Sequence, residues 1–294
     1  MHVNGAMAHP ADKNVPQPRF AGLGLRVVSA LAMMPPVIGA VYFGSPYFEI
    51  VLGGCAVVMA WEWQRMCGGR GRQFELFVLA STFVAAVVLT SLGRPSVALG
   101  VLLAGSAGFL VLAAPWRRTT PLNDAEVGPG WKTAGAVYIG ACCVALTWLR
   151  TGSDLGFEIV MWLFATVWAV DVGAYVCGRL IGGPRLVPAI SPNKTVAGLL
   201  GGMACAGAVG AALGAVFDRQ AVALLAASSA ALGFVAQTGD IAESWVKRRR
   251  GFKDSSHLIP GHGGLLDRVD GLLAATAVTA LFIAAKEGGV ATWW

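Results

Sequence analysis

The chain has 294 residues, of which 56% are hydrophobic and only 13% charged, and its mean hydropathy is +0.65, which excludes an ordinary soluble domain. A formal net charge of +6 could suggest a nucleic-acid partner, but the bases stand in short stretches between apolar segments. Membrane topology and anionic headgroups or phosphates account for them better, so no nucleic acid is expected.

Residues 1–21 hold Pro10, Pro16 and Pro18 with Asp12, Lys13 and Arg19, and form a polar tail without an apolar core. The tail does not read as a cleaved signal peptide, because the apolar run after it is long and lacks a clean small-residue cleavage site. Nine apolar segments follow, at roughly 24–44, 46–63, 74–93, 96–114, 132–149, 158–178, 196–217, 220–240 and 266–285. Each is about long enough to cross a bilayer as a helix. The first contains Pro35-Pro36 and is expected to kink or break there. Trp61-Glu62-Trp63 at the end of the second reads as an interfacial anchor, with Trp293-Trp294 its counterpart at the other face. The six cysteines show no C-x-x-C spacing and read as small buried hydrophobes, not as a disulfide or zinc framework.

With the N-terminus in the cytosol, 18 of the 22 Lys and Arg residues fall on the cytosolic side, leaving only Arg94, Arg150, Arg219 and Lys286 outside. The positive-inside rule therefore predicts an all-α polytopic membrane protein with about nine transmembrane helices, N-terminus in and C-terminus out. It divides into a tail (1–21), a scaffold of five helices (22–157) and a C-terminal region (158–294). In that topology Asp171, Asp240, Asp267 and Asp270 all gather toward the cytosolic face, where nucleotides are found.

Asp171 lies inside an apolar run, where a carboxylate is costly unless paired, metal-bound or wetted; a hydrogen bond to a neighbouring helix would be the plain structural reading. Next, Ser191-Pro192-Asn193-Lys194-Thr195 precedes the seventh segment. Ser191 or Asn193 can cap that helix, whose positive end suits an anion beside Lys194. Gly198, Gly201 and Gly202, with Gly207, Gly210 and Gly214, mark close packing within the bundle or in a dimer.

Residues 240–271 carry about a third of all charged side chains in the sequence. Asp240, Glu243, Ser244 and Lys247 share one helical face, and Asp267 and Asp270 stand one turn apart on the next helix. Close carboxylates suit Mg²⁺, which needs only one or two of them together with phosphate oxygens. The bend at 260–264 cannot continue a helix, and its glycines let backbone N–H groups approach a phosphate. Arg248-Arg249-Arg250 alone would be a topology signal, but that explains neither the acids nor His262 between glycines.

The order Ser244-x-Val246-Lys247-Arg248, then Lys253-Asp254-x-Ser256, then Ile259-Pro260-x-His262-Gly263-Gly264-Leu265-x-Asp267-Arg268-Val269-Asp270 resembles the signature of the phosphatidate cytidylyltransferase (CDP-diacylglycerol synthase) family without a mismatch over 27 positions. Residues 165–202 resemble it too, with Val172, Asn193 and Ala197 where that family often has Thr, Lys and Glu. The resemblance implies condensation of CTP with phosphatidate to CDP-diacylglycerol and pyrophosphate, by a homodimer; a bacterial cytoplasmic membrane is expected because no organelle-targeting segment is seen. The resemblance also implies Mg²⁺, leaving a second, monovalent cation open, and no protein nucleophile. Chemistry and resemblance together give Asp240, Asp267 and Asp270 as metal ligands and Lys247, Lys253, Arg268 and Lys194 as phosphate binders. Ser244, Arg248, His262, Gly263 and Gly264 would line the substrate pocket, with Asp171 as a supporting acid.

Three rival readings share parts of this pattern. Asp267-x-x-Asp270-Gly271-x-x-Ala274 partly mimics a CDP-alcohol phosphotransferase motif, but Ala275 replaces its Arg and its later acids are missing. A CTP-dependent lipid kinase would differ in transferring the γ-phosphate. A transporter would spread its acids through the membrane depth, whereas here they cluster at one face.

Overall fold

A computed structural model describes residues 23–67, 73–113, 128–217, 222–259 and 263–286. The tail at 1–21, Trp293-Trp294 and His262 lie outside the described residues. Nine helices occur among those described: α1 (Leu23–Phe43), α2 (Tyr47–Met66), α3 (Gln73–Ser91), α4 (Pro95–Ala113), α5 (Pro129–Thr151), α6 (Gly156–Leu180), α7 (Val196–Phe217), α8 (Val222–Arg249) and α9 (Leu266–Ala285). An antiparallel hairpin of β1 (Arg185–Val187) and β2 (Ser191–Thr195) joins α6 to α7 and departs from an all-α chain.

Six helices are long and apolar enough to cross a membrane: α3, α5, α6, α7, α8 and α9. In α1 and α4 only 32–43 and 95–111 form shorter apolar helices, and α2 carries Glu49, Glu62 and Arg65. The protein is a helical membrane protein on this footing, the hairpin apart. α8 is longer than its apolar run, continuing through Asp240 to Arg249 for 28 residues. At 1.5 Å per residue it is about 42 Å long, against a hydrocarbon core of about 30 Å. Its polar last turns can thus stay part of one rigid helix and still leave the hydrocarbon.

α1 runs through Pro35 and Pro36 without a break, with both residues on its exposed side. One local expectation fails. The Trp61-Glu62-Trp63 triplet is not one interfacial anchor. Trp61 is half-exposed with Arg65 over its ring, but Trp63 and Glu62 turn inward, and Trp63 Nε1 donates to the Lys132 carbonyl at 2.9 Å. At 100° per residue, three consecutive side chains of a helix cannot share a surface.

The core is built where α2, α3, α5, α6, α8 and α9 meet, around Phe83, Ile139, Leu149, Trp162, Leu163 and Ile283. Trp162 Nε1 donates to Ser229 Oγ at 2.8 Å, tying α6 to α8 inside it. Helix α7 packs against both α6 and α8 because its glycines present no side chain. A Cβ on Gly202 would lie 2.9 Å from the Val170 carbonyl oxygen of α6, and one on Gly210 would lie 2.3 Å from the Leu225 carbonyl oxygen of α8. The glycine seam thus packs helices within one chain. Gly182 and Gly183, with φ of 66° and 90°, let the chain leave α6 and turn into the hairpin.

Because the atom facing Gly210 is backbone, it cannot swing aside. Gly210→Val is expected to destabilise the protein by ~1–3 kcal/mol or more through overpacking, read as a lower unfolding temperature in detergent.

Candidate active site

Helices α6, α8 and α9 each bring acids to one end of a cavity of about 540 Å³. That end is lined by Asp171, Asp240, Lys247, Asp254, Asp267, Arg268 and Asp270. The remainder is apolar, walled by Met33, Met34 and Val37 of α1, Phe48 and Leu52 of α2, and Phe164 and Val167 of α6. A charged end continuous with an apolar chamber matches a ligand that is itself amphipathic.

The face expected on α8 forms. Ser244 Oγ donates to Asp240 Oδ1 at 3.3 Å one turn away, and the Lys247 ammonium lies 3.3 Å from Glu243 Oε1. Lys247 aims its short hydrogen bond elsewhere, at Asp267 Oδ1 of α9, 2.6 Å away. Both side chains are almost fully buried. Asp267 also accepts from the Ser255 N–H at 2.8 Å, Ser255 Oγ at 3.0 Å and the Gly264 N–H at 2.8 Å. Both of its oxygens are therefore engaged by protein donors, and its work in this structure is to hold α8, the 251–264 loop and α9 together.

Asp240, by contrast, faces the hairpin. Lys194 Nζ of β2 lies 2.7 Å from its Oδ2 and also donates to the Gln237 carbonyl at 3.3 Å. The α7 cap is neither Ser191 nor Asn193, which belong to β2; Thr195 Oγ1 accepts the Gly198 N–H at 3.0 Å instead. Arg248 donates long bonds of 3.4 Å to the carbonyls of Ile190 and Phe252, tying the hairpin and the loop to the end of α8. Asp171 accepts no hydrogen bond among the described residues and opens to the cavity, where Asp240, Lys194 and Arg268 act on it electrostatically. Asp270 Oδ1 accepts only its neighbour's N–H, from Gly271 at 2.7 Å, and sits in the field of Glu243, Asp240 and Lys247.

Not every expected residue reaches the cavity. Lys253 stands exposed on the loop and does not line it, and Ser244 reaches it only through Asp240. The Gly263 N–H goes to the Ile259 carbonyl, and the Gly264 N–H to Asp267. These two amides serve the loop's own closure. Cys67, just past α2, has its thiol pushed up to about 12 by burial, which removes it as a thiolate nucleophile.

The sequence profile of the Cytidylyltransferase family matches residues 24–285. The chain is 38% identical over 267 residues to a phosphatidate cytidylyltransferase of Brucella suis, covering 90% of this chain and 94% of that one. It is 33% identical over 271 residues to that of Pseudomonas aeruginosa (90% and 98% covered), and 30% identical over 289 residues to that of Haemophilus influenzae (87% and 97% covered). The chain belongs to the cytidylyltransferase family.

Reading this cytidylyltransferase site for a metal turns on which carboxylates keep free lone pairs. Among the described residues no three His, Cys, Asp or Glu groups enclose a cation on their own. Mg²⁺ does not require that, since it keeps waters and takes phosphate oxygens beside one or two carboxylates. Asp240 and Asp270, with Asp171 beside them, have the spare capacity that Asp267 lacks, so the donor set fits.

Sequence reasoning missed two contributors. Asp254 stands in the signature and lines the cavity, but no role was given to it. Glu62 of α2 is fully buried against the signature loop. Its signal was an acid within an apolar run, misread because the flanking tryptophans suggested an interface.

The two lysine pairs should separate cleanly in stability measurements. Lys247→Met strands buried Asp267 and Glu243 and is expected to cost ~3–5 kcal/mol. Lys194→Ala breaks a partly exposed pair and is expected to cost less, ~1 kcal/mol. Unfolding in detergent micelles at a fixed pH checks both.

Proposed function

We propose that this protein condenses CTP with phosphatidate to give CDP-diacylglycerol and pyrophosphate, as the names of its relatives indicate for them. The observation that carries the reading is the cavity that joins a cluster of acids and bases to an apolar chamber. A diacyl phosphate needs both, its head among charges and its chains among hydrocarbon. The transferase and phospholipid-biosynthesis class follows from family membership.

In the reaction, an oxygen of the ionised lipid phosphate attacks the α-phosphorus of CTP in line. The new O–P bond forms as the bond from the α-phosphorus to the β-phosphate oxygen breaks, and pyrophosphate leaves with the electron pair. No protein nucleophile is required, so catalysis is positioning and charge stabilisation. Lys247 is the best-placed cation, because Asp267 and Glu243 hold its ammonium at one point and limit its reorganisation. Arg268 and Lys194 complete the phosphate-binding set, with Lys194 leaving Asp240 as phosphate enters. Asp240 and Asp270 would hold Mg²⁺, with Asp171 in support, and Asp267 organises the site. When bound, the metal supplies charge neutralisation for the departing pyrophosphate. Ser244 orients Asp240. Lys253 and Arg248 are assigned to the outer, nucleotide-facing side, His262 keeps the substrate-binding role that the resemblance implies, and a second, monovalent cation could neutralise the remaining phosphate charge.

The proposed topology is nine spans, with the N-terminus and the site on the cytosolic side of a bacterial inner membrane. α1, α2 and α4 supply three crossings beyond the six apolar helices; at 21, 20 and 19 residues they are each about 30 Å long. The 18 bases assigned to the cytosolic side support that orientation. A homodimer is proposed as the working assembly, the Met- and Trp-containing N-terminal helices providing the lipid-facing scaffold.

The deciding assay follows pyrophosphate and lipid product from purified protein in detergent with CTP, phosphatidate and Mg²⁺. Pyrophosphate and CDP-diacylglycerol in equal amounts are expected, with turnover abolished by EDTA. Asp240→Asn is expected to lower kcat by ~10²–10³-fold, the scale for loss of one preorganised electrostatic contact. CDP and a phosphorylated lipid would instead make it a lipid kinase.

Sidedness has its own test. A phosphatase reporter fused after residue 294 should be active and a fluorescent protein fused there dark, with the reverse pattern at residue 1. The opposite result would overturn the orientation.

A further inference from the structure

Glu62 has no exposed surface, and α2 otherwise gives the cavity only apolar side chains. A carboxylate there is costly unless its oxygens are fully used. They are. Oε1 accepts from Ser256 Oγ at 2.5 Å and from the Leu265 N–H at 2.9 Å, while Oε2 accepts from the Leu266 N–H at 2.7 Å and shares the single Ser255 O–H, 3.1 Å away, with Asp267. All these donors belong to the signature segment, about 200 residues further along the chain, and both carboxylate oxygens are engaged.

The donors lie at the two ends of one loop. Ser255 and Ser256 directly follow the cavity-lining Asp254, while Leu265 and Leu266 begin α9, which then carries Asp267, Arg268 and Asp270. The N–H groups at a helix start have no partner within the helix, and a negative charge is favoured there. Glu62 thus satisfies the start of α9 and anchors the loop's first half with the same carboxylate. Gly264 completes the fit, since a Cβ on it would lie 2.5 Å from Glu62 Oε1. Two acids set the register of the loop's described residues, Asp267 at the start of α9 and Glu62 from the other half of the protein.

We propose that Glu62 is a positioning residue for cytidylyl transfer, clasping both ends of the signature loop so that Asp254 and the first turn of α9 face the reacting phosphates in a single register. This rests on the reaction assigned above. Glu62 touches no substrate in this role and acts through Ser255, Ser256 and α9.

The test compares Glu62→Gln, Ser256→Ala and the wild type as full-length protein in detergent, by steady-state kinetics and by amide hydrogen exchange. Glutamine keeps the shape but turns an NH₂ group toward two donors, opening one side of the clasp. Expected is a kcat reduced by ~10–100-fold, the scale for sub-ångström to 1 Å misplacement of catalytic groups, with KM for CTP little changed. Faster exchange should be confined to 253–266, with α6 and α7 unaffected. Ser256→Ala should show the same pattern more weakly. Unchanged kcat in both variants would overturn the proposal, as would a loss of protection spread evenly over all helices, which marks a merely structural acid. If Glu62→Gln does not fold, Ser256→Ala decides alone by the same criteria. A wild type that makes no CDP-diacylglycerol sinks the reaction and this role together; wild-type turnover with undiminished turnover in the variants sinks only the role of Glu62.

Discussion

The interaction on which this site depends is the sealed Lys247–Asp267 ion pair, because a charge that deep in an apolar bundle is costly unless paired. Lys247 and Asp267 meet at 2.6 Å in a nearly sealed space, and the second oxygen of Asp267 takes donors from Ser255 and Gly264. Glu62 repeats the logic beside it, with Ser256, Leu265 and Leu266 as donors and the Ser255 hydroxyl shared with Asp267. Each carboxylate would be expensive alone. Together they fasten the described parts of the loop, Ser255-Ser256 and Gly264, to α2, α8 and the start of α9.

That economy also sorts the acids. Asp267 and Glu62 are consumed in holding the loop, whereas Asp171, Asp240 and Asp270 keep lone pairs directed to the cavity. Acids that hold structure and acids available to a ligand stand within a few turns of each other. Their sequence context does not tell them apart; their donors do. Helix packing sets the spacing of the available group. The α7 glycines let α6 and α8 press against a helix without bulk, and the hairpin between α6 and α7 then delivers Lys194 to Asp240.

The apolar chamber gives these charges a direction. α1, α2 and α6 wall it with Met, Val, Leu and Phe, so a phosphate bound among the acids and bases can remain attached to a hydrocarbon chain. An enzyme that joins a water-soluble nucleotide to a membrane lipid needs this junction. Here the long α8 spans it, carrying apolar residues in its first half and the reactive face in its last turns.

Much of this was written in the sequence itself. Hydrocarbon runs and the positions of Lys and Arg determine a helical membrane protein, because lipid forces backbone groups to bond within each segment. The i, i+3, i+4 and i+7 spacing determines that Asp240, Glu243, Ser244 and Lys247 share a face, because helical geometry is local. The 27-position signature determines the family. Tertiary structure alone decided which acid partners which base. The Lys247–Asp267 contact spans two helices and a loop, the cap of α7 is Thr195, the last residue of β2 directly before the helix, and Glu62 found its donors about 200 residues away. Hydrogen bonds of that reach follow from how helices stack, and no local pattern of residues records it.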